Sequence, residues 1–197
     1  MRPDLDIVAA MVPPGSRVLD LGCGDGALLE HLLRDRRCDG LGIEISEEGF
    51  HACVARGVPV LHADLDAGLA DIEDGTFDVV VLSQTLQATH RPALVLAELR
   101  RVGRRGVVSF PNFGHWRVRA TLGLRGRMPV SPALPYTWHD TPNLHLCTLA
   151  DFEQLAAAEG ERVVRRVLLG ADGGRALRYA ALRPNLLAAG AVYLLER

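Results

Sequence analysis

Val18-Leu19-Asp20-Leu21-Gly22-Cys23-Gly24-Asp25-Gly26 runs directly into Ala27-Leu28-Leu29-Glu30-His31-Leu32-Leu33. An apolar run ends in a carboxylate, glycines follow at alternate positions, and a helical apolar pattern begins. That order reads as a buried strand, a tight turn and the start of an amphipathic helix. Glycine permits positive φ and lets a ligand come close to the main chain. The helix behind it presents unpaired N–H groups and the positive end of its dipole to the turn. Such a unit forms a mononucleotide-type site at the carboxyl end of the first strand of an open α/β sheet. A plain β-to-α turn needs one glycine, not three behind an acid.

The kind of nucleotide turns on charge. Gly22-x-Gly24-x-x-Ala27 can be laid on the dinucleotide fingerprint, whose last position tolerates alanine. Asp20 and Asp25 would repel a pyrophosphate, whereas a carboxylate at Asp20 suits an ammonium. The string Asp-Leu-Gly-Cys-Gly-Asp-Gly, residues 20–26, closely resembles motif I of class I S-adenosylmethionine-dependent methyltransferases. That resemblance implies S-adenosylmethionine or S-adenosylhomocysteine held by Asp20, Gly22, Cys23, Gly24 and Gly26. An NAD-dependent oxidoreductase stays as the minor alternative.

The 197 residues suit one domain, 1–197, with a single sizeable core. A formal net charge of −2 gives no general reason to expect nucleic acid as partner. All 22 basic residues are arginine, which excludes Schiff-base chemistry on lysine. The four cysteines, Cys23, Cys38, Cys53 and Cys147, form no C-x-x-C pair and have no histidine at zinc-ligand spacing, so no metal is expected. They read as reduced thiols in a cytoplasmic protein. Residues 1–6 lack an apolar signal core and no segment is long enough to span a bilayer, so no membrane partner is expected.

Along the chain, a short helix over Asp4–Val12 is expected on the sheet edge, ended by Pro13-Pro14-Gly15. Strands follow at Leu41–Ile45, Val58–Leu61, Phe77–Leu82 and Gly106–Phe110. Helices are expected at Glu47–Arg56, about Arg91–Val102, and from a Thr148 cap to Gly160. Val163–Leu169 and Ala176–Leu182, with Gly170–Gly174 between them, read as a closing hairpin. Asn185–Arg197 reads as a terminal helix. The resulting class is α/β: one doubly wound, mostly parallel, seven-stranded sheet with an antiparallel last strand, a class I methyltransferase-like Rossmann fold.

In such a sheet, ligand contacts come from the carboxyl ends of successive strands. Glu44 ends the second strand beside Ile45, where a carboxylate accepts hydrogen bonds from ribose hydroxyls. Asp64 ends the third, where methyltransferases of this type place an acid on the adenine amino group, with Leu65 against the ring. Asp66 competes with Asp64 for that role. Ser83 and Gln84 end the fourth strand, near the methionine portion. Ser83-Gln84-Thr85-Leu86-Gln87 contains no Asn/Asp-Pro-Pro-aromatic string of the kind amino-methylating nucleic-acid enzymes use.

The stretch at about 112–147 is an insertion rich in aromatic residues and proline. Six of the ten Phe, Trp and Tyr residues lie between Phe110 and Phe152, with three of the seven histidines. A connection this long is functional or disordered, and aromatic content argues against disorder. It is read as a cover for the cofactor mouth, a docking surface, or a plain cap over a core edge. Ser109-Phe110-Pro111-Asn112-Phe113-Gly114-His115-Trp116-Arg117 and Pro135-Tyr136-Thr137-Trp138-His139-Asp140-Thr141-Pro142-Asn143-Leu144-His145-Leu146-Cys147-Thr148 resemble the MetW family of methionine-biosynthesis proteins. The resemblance implies an accessory protein needed by a MetX-type homoserine O-acyltransferase. Asn112, His115, Trp116, Trp138, Asp140, Asn143 and His145 are the candidate substrate or partner residues. The other reading is a free-standing methyltransferase acting on a small molecule or protein. His90, His115, His139 and His145 have the chemistry of a general base, but no turn places a nucleophile, and no catalytic residue is assigned.

Overall fold

The computed structural model describes residues 2–131 and 134–196. Seven strands form one sheet: β1 (Arg17–Leu21), β2 (Asp39–Glu44), β3 (Val60–His62), β4 (Phe77–Ser83), β5 (Gly103–Pro111), β6 (Arg162–Leu169) and β7 (Gly190–Glu196). Their spatial order is β3-β2-β1-β4-β5-β7-β6. The pairs β1–β2, β1–β4, β2–β3 and β4–β5 are parallel, and β7 runs antiparallel to both its neighbours. Strand order reverses between β1 and β4, so the carboxyl ends of those two strands frame the crevice where doubly wound sheets take ligands.

Helices cover both faces, so the central strands read as unbroken apolar runs. On one face α1 (Pro3–Met11) and α2 (Ala27–Arg36) bury Val8, Val12, Leu28 and Leu29 against Val18, Val79, Val81, Val107 and Val192. Beyond them, α3 (Glu47–Arg56) contributes buried Cys53 to the same cluster. On the other face, α4 (Pro92–Val102) and α6 (Leu149–Ala158) bury Leu96, Leu99, Phe152 and Ala156 against Leu19, Val80, Leu82 and Tyr193. A capping box closes the start of α6: Thr148 accepts from the Asp151 amide, and Asp151 accepts in return from the Thr148 amide. Arg101 on α4 fastens the connection from β3 to β4, donating to the Ile72 and Leu69 carbonyls and to Asp74 and Glu98.

Four expectations need correction. The last strand is Gly190–Glu196, not Ala176–Leu182, and the terminal helix is absent from the described residues beyond the one turn of α7 (Pro184–Leu187). Gly190 to Tyr193 are buried on both faces because β7 lies inside the sheet, where a period-two pattern vanishes. Ala176–Leu182 instead holds a 3-10 turn with Leu177 and Leu182 exposed. α1 packs on the inner strands β5 and β7 rather than on an edge, with Leu5, Val8, Ala9 and Met11 buried beside Val107 and Val192. The insertion contains a ten-residue helix, α5 (Trp116–Arg125), that the sequence reading did not foresee. Pro132 and Arg197 lie outside the described residues.

Phe110, Phe152 and Tyr193 hold α6 onto the sheet: the Phe152 ring sits 4.7 Å from each of the other two centroids. Tyr193 keeps its hydroxyl satisfied by donating to Glu153 at 2.9 Å. Truncating Phe152 leaves a cavity among side chains that cannot collapse into it. Phe152→Ala is expected to lower unfolding free energy by about 3–5 kcal/mol. Urea denaturation should show a lower midpoint at unchanged slope.

Candidate functional site

The turn after β1 is held by three short main-chain constraints. Gly22 has φ +73°, and a Cβ there would lie 2.4 Å from Cγ2 of Thr85, so the turn closes onto the chain leaving β4. The Gly22 and Cys23 amides both donate to the Ile43 carbonyl, at 2.8 and 3.1 Å. Glu44 then spans the gap: one carboxylate oxygen accepts from the Gly24 amide and the other from the Ser46 amide, each at 2.8 Å. At Gly24, φ is +57° and a Cβ would meet nothing within 4 Å, because that side of the turn faces open space. Beneath it Cys53 donates to the Gly24 carbonyl, and its sulfur lies 3.6 Å from that of Cys23. Burial pushes both thiols up, so they remain protonated and serve as packing.

Asp20 is the anomaly of the site. It is 2% exposed, and its Oδ1 has no hydrogen-bond partner among the described residues. Burial, reinforced by the nearby Glu44 and opposed by Arg2, pushes its carboxyl up to about 7. A buried carboxylate oxygen without a donor is costly unless a cation or donor meets it. Gln87, 6% exposed, repeats the pattern: its Nε2 donates to the Gln84 carbonyl while Oε1 stays unpartnered.

Both groups line one cavity of about 1260 Å³. It also takes in Gly22, Cys23, Gly24, Glu44, Ile45, Asp64, Leu65, Ser83 and Gln84, so nearly all the residues singled out for the cofactor converge there. The side chain of Gly26 is absent by nature and the residue sits just behind, at the start of α2. Ile45 is 60% exposed at the mouth, an apolar side chain left facing solvent. Asp64 and Asp66 are separated by their bonding. Asp66 accepts from the His90 and Arg91 amides at 2.9 and 2.8 Å and so anchors the loop before α4. Among the described residues, the Asp64 side chain accepts a local bond from the Asp66 amide and no other. Gln84 adopts φ +57°, a left-handed conformation rare outside glycine and characteristic of functional sites.

The insertion contributes to the rim unevenly. Asn143, with Tyr136 and Pro142, lines the cavity. The Leu144 and His145 amides both donate to the Gln87 carbonyl, which ties the returning segment to the end of β4. Trp116, Trp138, Asp140 and His145 are exposed, and His115 is half-buried beside Trp116. Asn112 is buried, donating to the Asn185 and Ala188 carbonyls and accepting from the Gly114 amide. His90, His115, His139 and His145 are not part of the cavity lining. Among the described residues no group of three or more His, Cys, Asp or Glu could hold a metal ion, and no helix is long and apolar enough to cross a membrane. The sequence reading missed Gln87 and Arg2, which belong to no motif and become visible only when the cavity is formed.

A sheet of this order, with an antiparallel seventh strand and a glycine turn at the β1–β4 switch point, defines the class I S-adenosylmethionine-dependent methyltransferase fold. The chain belongs to the family described as methionine biosynthesis protein MetW, whose model matches residues 2–195. It is 35% identical over 206 residues to the bifunctional methionine biosynthesis protein MetXA/MetW of Rhodopirellula baltica. That match covers all of this chain and 33% of the relative, so the chain spans about a third of that protein's length. An S-adenosylmethionine-dependent methyltransferase of Mesorhizobium loti superposes with a TM-score of 0.70 at 17% identity, covering 98% of this chain and 96% of that one. The Burkholderia thailandensis 1,6-didemethyltoxoflavin-N1-methyltransferase, solved with S-adenosylhomocysteine, gives 0.66 at 16% identity over 100% of this chain and 77% of that one.

The raised Asp20 carboxyl has a consequence for stability. A folded-state value near 7 against the ordinary 3.8 means that the folded chain keeps a proton the unfolded chain releases. Stability from this group is therefore full below the unfolded value and lost as pH rises through about 7. Asp20→Asn should gain stability relative to the parent between about pH 5 and about pH 8. Parallel urea titrations across that range measure the difference.

Proposed function

We propose that this chain binds S-adenosylmethionine or S-adenosylhomocysteine in the cavity and acts with a MetX-type homoserine O-acyltransferase. The observation that carries the partnership is the Rhodopirellula relative, one chain bearing both the MetXA and MetW names. The cofactor reading is supported by the donor set. The unpaired Asp20 oxygen suits an ammonium, Glu44 retains lone pairs for ribose hydroxyls, and Asp64 suits the adenine amino group between Ile45 and Leu65. Ser83 and Gln84 stand where the methionine portion would lie. When bound, the cofactor supplies a methyl group on a sulfonium centre. The working compartment in this reading is the cytoplasm.

The partner surface in this reading is the outward side of the insertion. Trp116 and Trp138 are exposed, and Arg117 lies over the Trp116 ring at 5.3 Å. No acid occurs from Phe113 to His139, whereas Arg117, Arg119, Arg125 and Arg127 do. Aromatic and arginine side chains of this kind dominate binding hot spots. Feedback from the end of the pathway requires that the cofactor bind the free and partnered forms with unequal affinity, since equal binding shifts nothing.

A second reading, a methyltransferase on a small molecule or protein, is favoured by the size of the cavity. At about 1260 Å³ it exceeds the ordinary range for one small ligand, roughly 300–1,000 Å³, and leaves room beside the cofactor.

The following measurements test the function. S-adenosylmethionine at about 100 times its dissociation constant should add roughly 2.7 kcal/mol of stability, and NAD none. Its affinity should climb as pH rises through about 7, because Asp20 must ionise to meet the ammonium. With the acyltransferase from the same organism, this chain should form a complex and raise turnover, and the Trp emission should shift on complex formation. A tenfold change in that complex's affinity with cofactor corresponds to about 1.4 kcal/mol of coupling. Turnover indifferent to this protein would remove the accessory role and leave the second reading.

A further inference from the structure

A second recess, of about 200 Å³, shares no lining residue with the large cavity. It lies where the insertion meets the chain that follows β6. Arg119 of α5, Arg166 of β6 and Arg183 just before α7 line it, with Leu149, Pro184 and Leu186 as its apolar part. Asn185 fixes these segments against one another. Its carbonyl accepts from the Asn112 side chain at 3.1 Å, and its own side chain accepts from the Leu149 amide at 3.1 Å.

Three guanidiniums line this recess with a single carboxylate, that of Glu153. Its Oε1 is already shared, accepting from Arg166 and, at 2.9 Å, from the Tyr193 hydroxyl. Arg119 spends its Nε on the Gly114 carbonyl at 2.6 Å, and its terminal nitrogens have no partner among the described residues. The Arg183 side chain has no partner among the described residues either. Two of the three cations are therefore uncompensated. The surrounding chain sharpens the imbalance: residues 113–139 and 173–195 hold seven arginines and no acid, although acids outnumber basic residues 24 to 22 in the whole chain. Apolar side chains stand open in the same two segments, with Leu182 beside Arg183 82% exposed and Leu124 on α5 86% exposed. Arginine set among exposed apolar groups is the composition of a protein interface.

The geometry points to this recess as the anchor for an acidic side chain of a protein partner, whose apolar neighbours pack on Leu182 and the apolar lining. This rests on the partnership proposed above and gives the partner a chemistry: an acidic segment flanked by apolar residues. A guanidinium binds a carboxylate through two parallel hydrogen bonds, so Arg119 and Arg183 can grip one acid from two sides. Nucleic acid fits less well, because the whole chain is net negative and exposed leucine offers a phosphate nothing.

The test measures, by calorimetry at low and high salt, the complex of the full chain with the MetX-type homoserine O-acyltransferase of the same organism. Each variant is first matched to the parent in urea midpoint. Arg183→Glu should weaken the complex by about 10- to 100-fold and Arg183→Ala by about 3- to 10-fold. Arg104→Glu makes the same charge change at an exposed arginine outside the recess and should stay within about twofold of the parent. Added salt should weaken the parent complex more than that of Arg183→Ala. Equal losses in Arg183→Glu and Arg104→Glu would overturn the anchor, because net charge alone would then set the affinity. Unchanged affinity in both would overturn it and leave the partnership standing on another face. If the parent forms no complex, the partnership itself falls and takes the anchor with it. Binding of a labelled single-stranded oligonucleotide that Arg183→Glu abolishes would also overturn it, by assigning the recess to phosphate.

Discussion

The Glu44 carboxylate is the tie on which the site depends. Its two oxygens accept from the amides of Gly24 and Ser46, joining the turn after β1 to the beginning of α3. Each amide is one of the unpaired donors that turns and helix starts leave over. Losing the carboxylate, itself only 8% exposed, would free both at once. Glu44 is thus a structural brace of the turn. The turn it braces sets the height of Gly22 against Thr85 and opens the Gly24 side to the cavity.

Around that tie, two layers of helices bury the two faces of the sheet, and the acids of the cavity gather at the carboxyl ends of the parallel strands. Asp20 shares its face of β1 with Val18, so it points under α1 rather than toward α4. That explains why the residues that influence it come from both ends of a long sequence separation: Glu44 on β2 and Arg2 before α1. The cost of the buried carboxyl is carried by the folded chain.

Much of this was legible in the sequence. Alternate glycines behind Asp20, and acids after successive apolar runs, forecast the turn and the strand ends because those patterns follow from local chain geometry. What was not legible depended on distant partners. Gly190-Ala191-Val192-Tyr193-Leu194-Leu195 follows a leucine- and alanine-rich segment that favours helix, and only insertion between β5 and β6 makes it a strand. α5 escaped notice because Val118 alone among its residues is buried, so it lacks an apolar stripe. Asp64 and Asp66 are indistinguishable in sequence, and only the two amides before α4 reveal that Asp66 is already engaged. Arg2 belongs to no motif at all.

The position of β7 bears on how the chain reaches its fold. The strand that comes last in sequence pairs along its whole length with β5 on one side and β6 on the other. During synthesis those two strands leave the ribosome as unpaired edges, and the aromatic layer of Phe110 and Phe152 waits without Tyr193. Exposed edges and unfilled apolar surface are what chaperones bind and what aggregates recruit. The β1–β4 half, with its glycine turn, can assemble from nearby segments first. Closure of the sheet is then a late event of high contact order, governed by the final strand finding the slot between its neighbours.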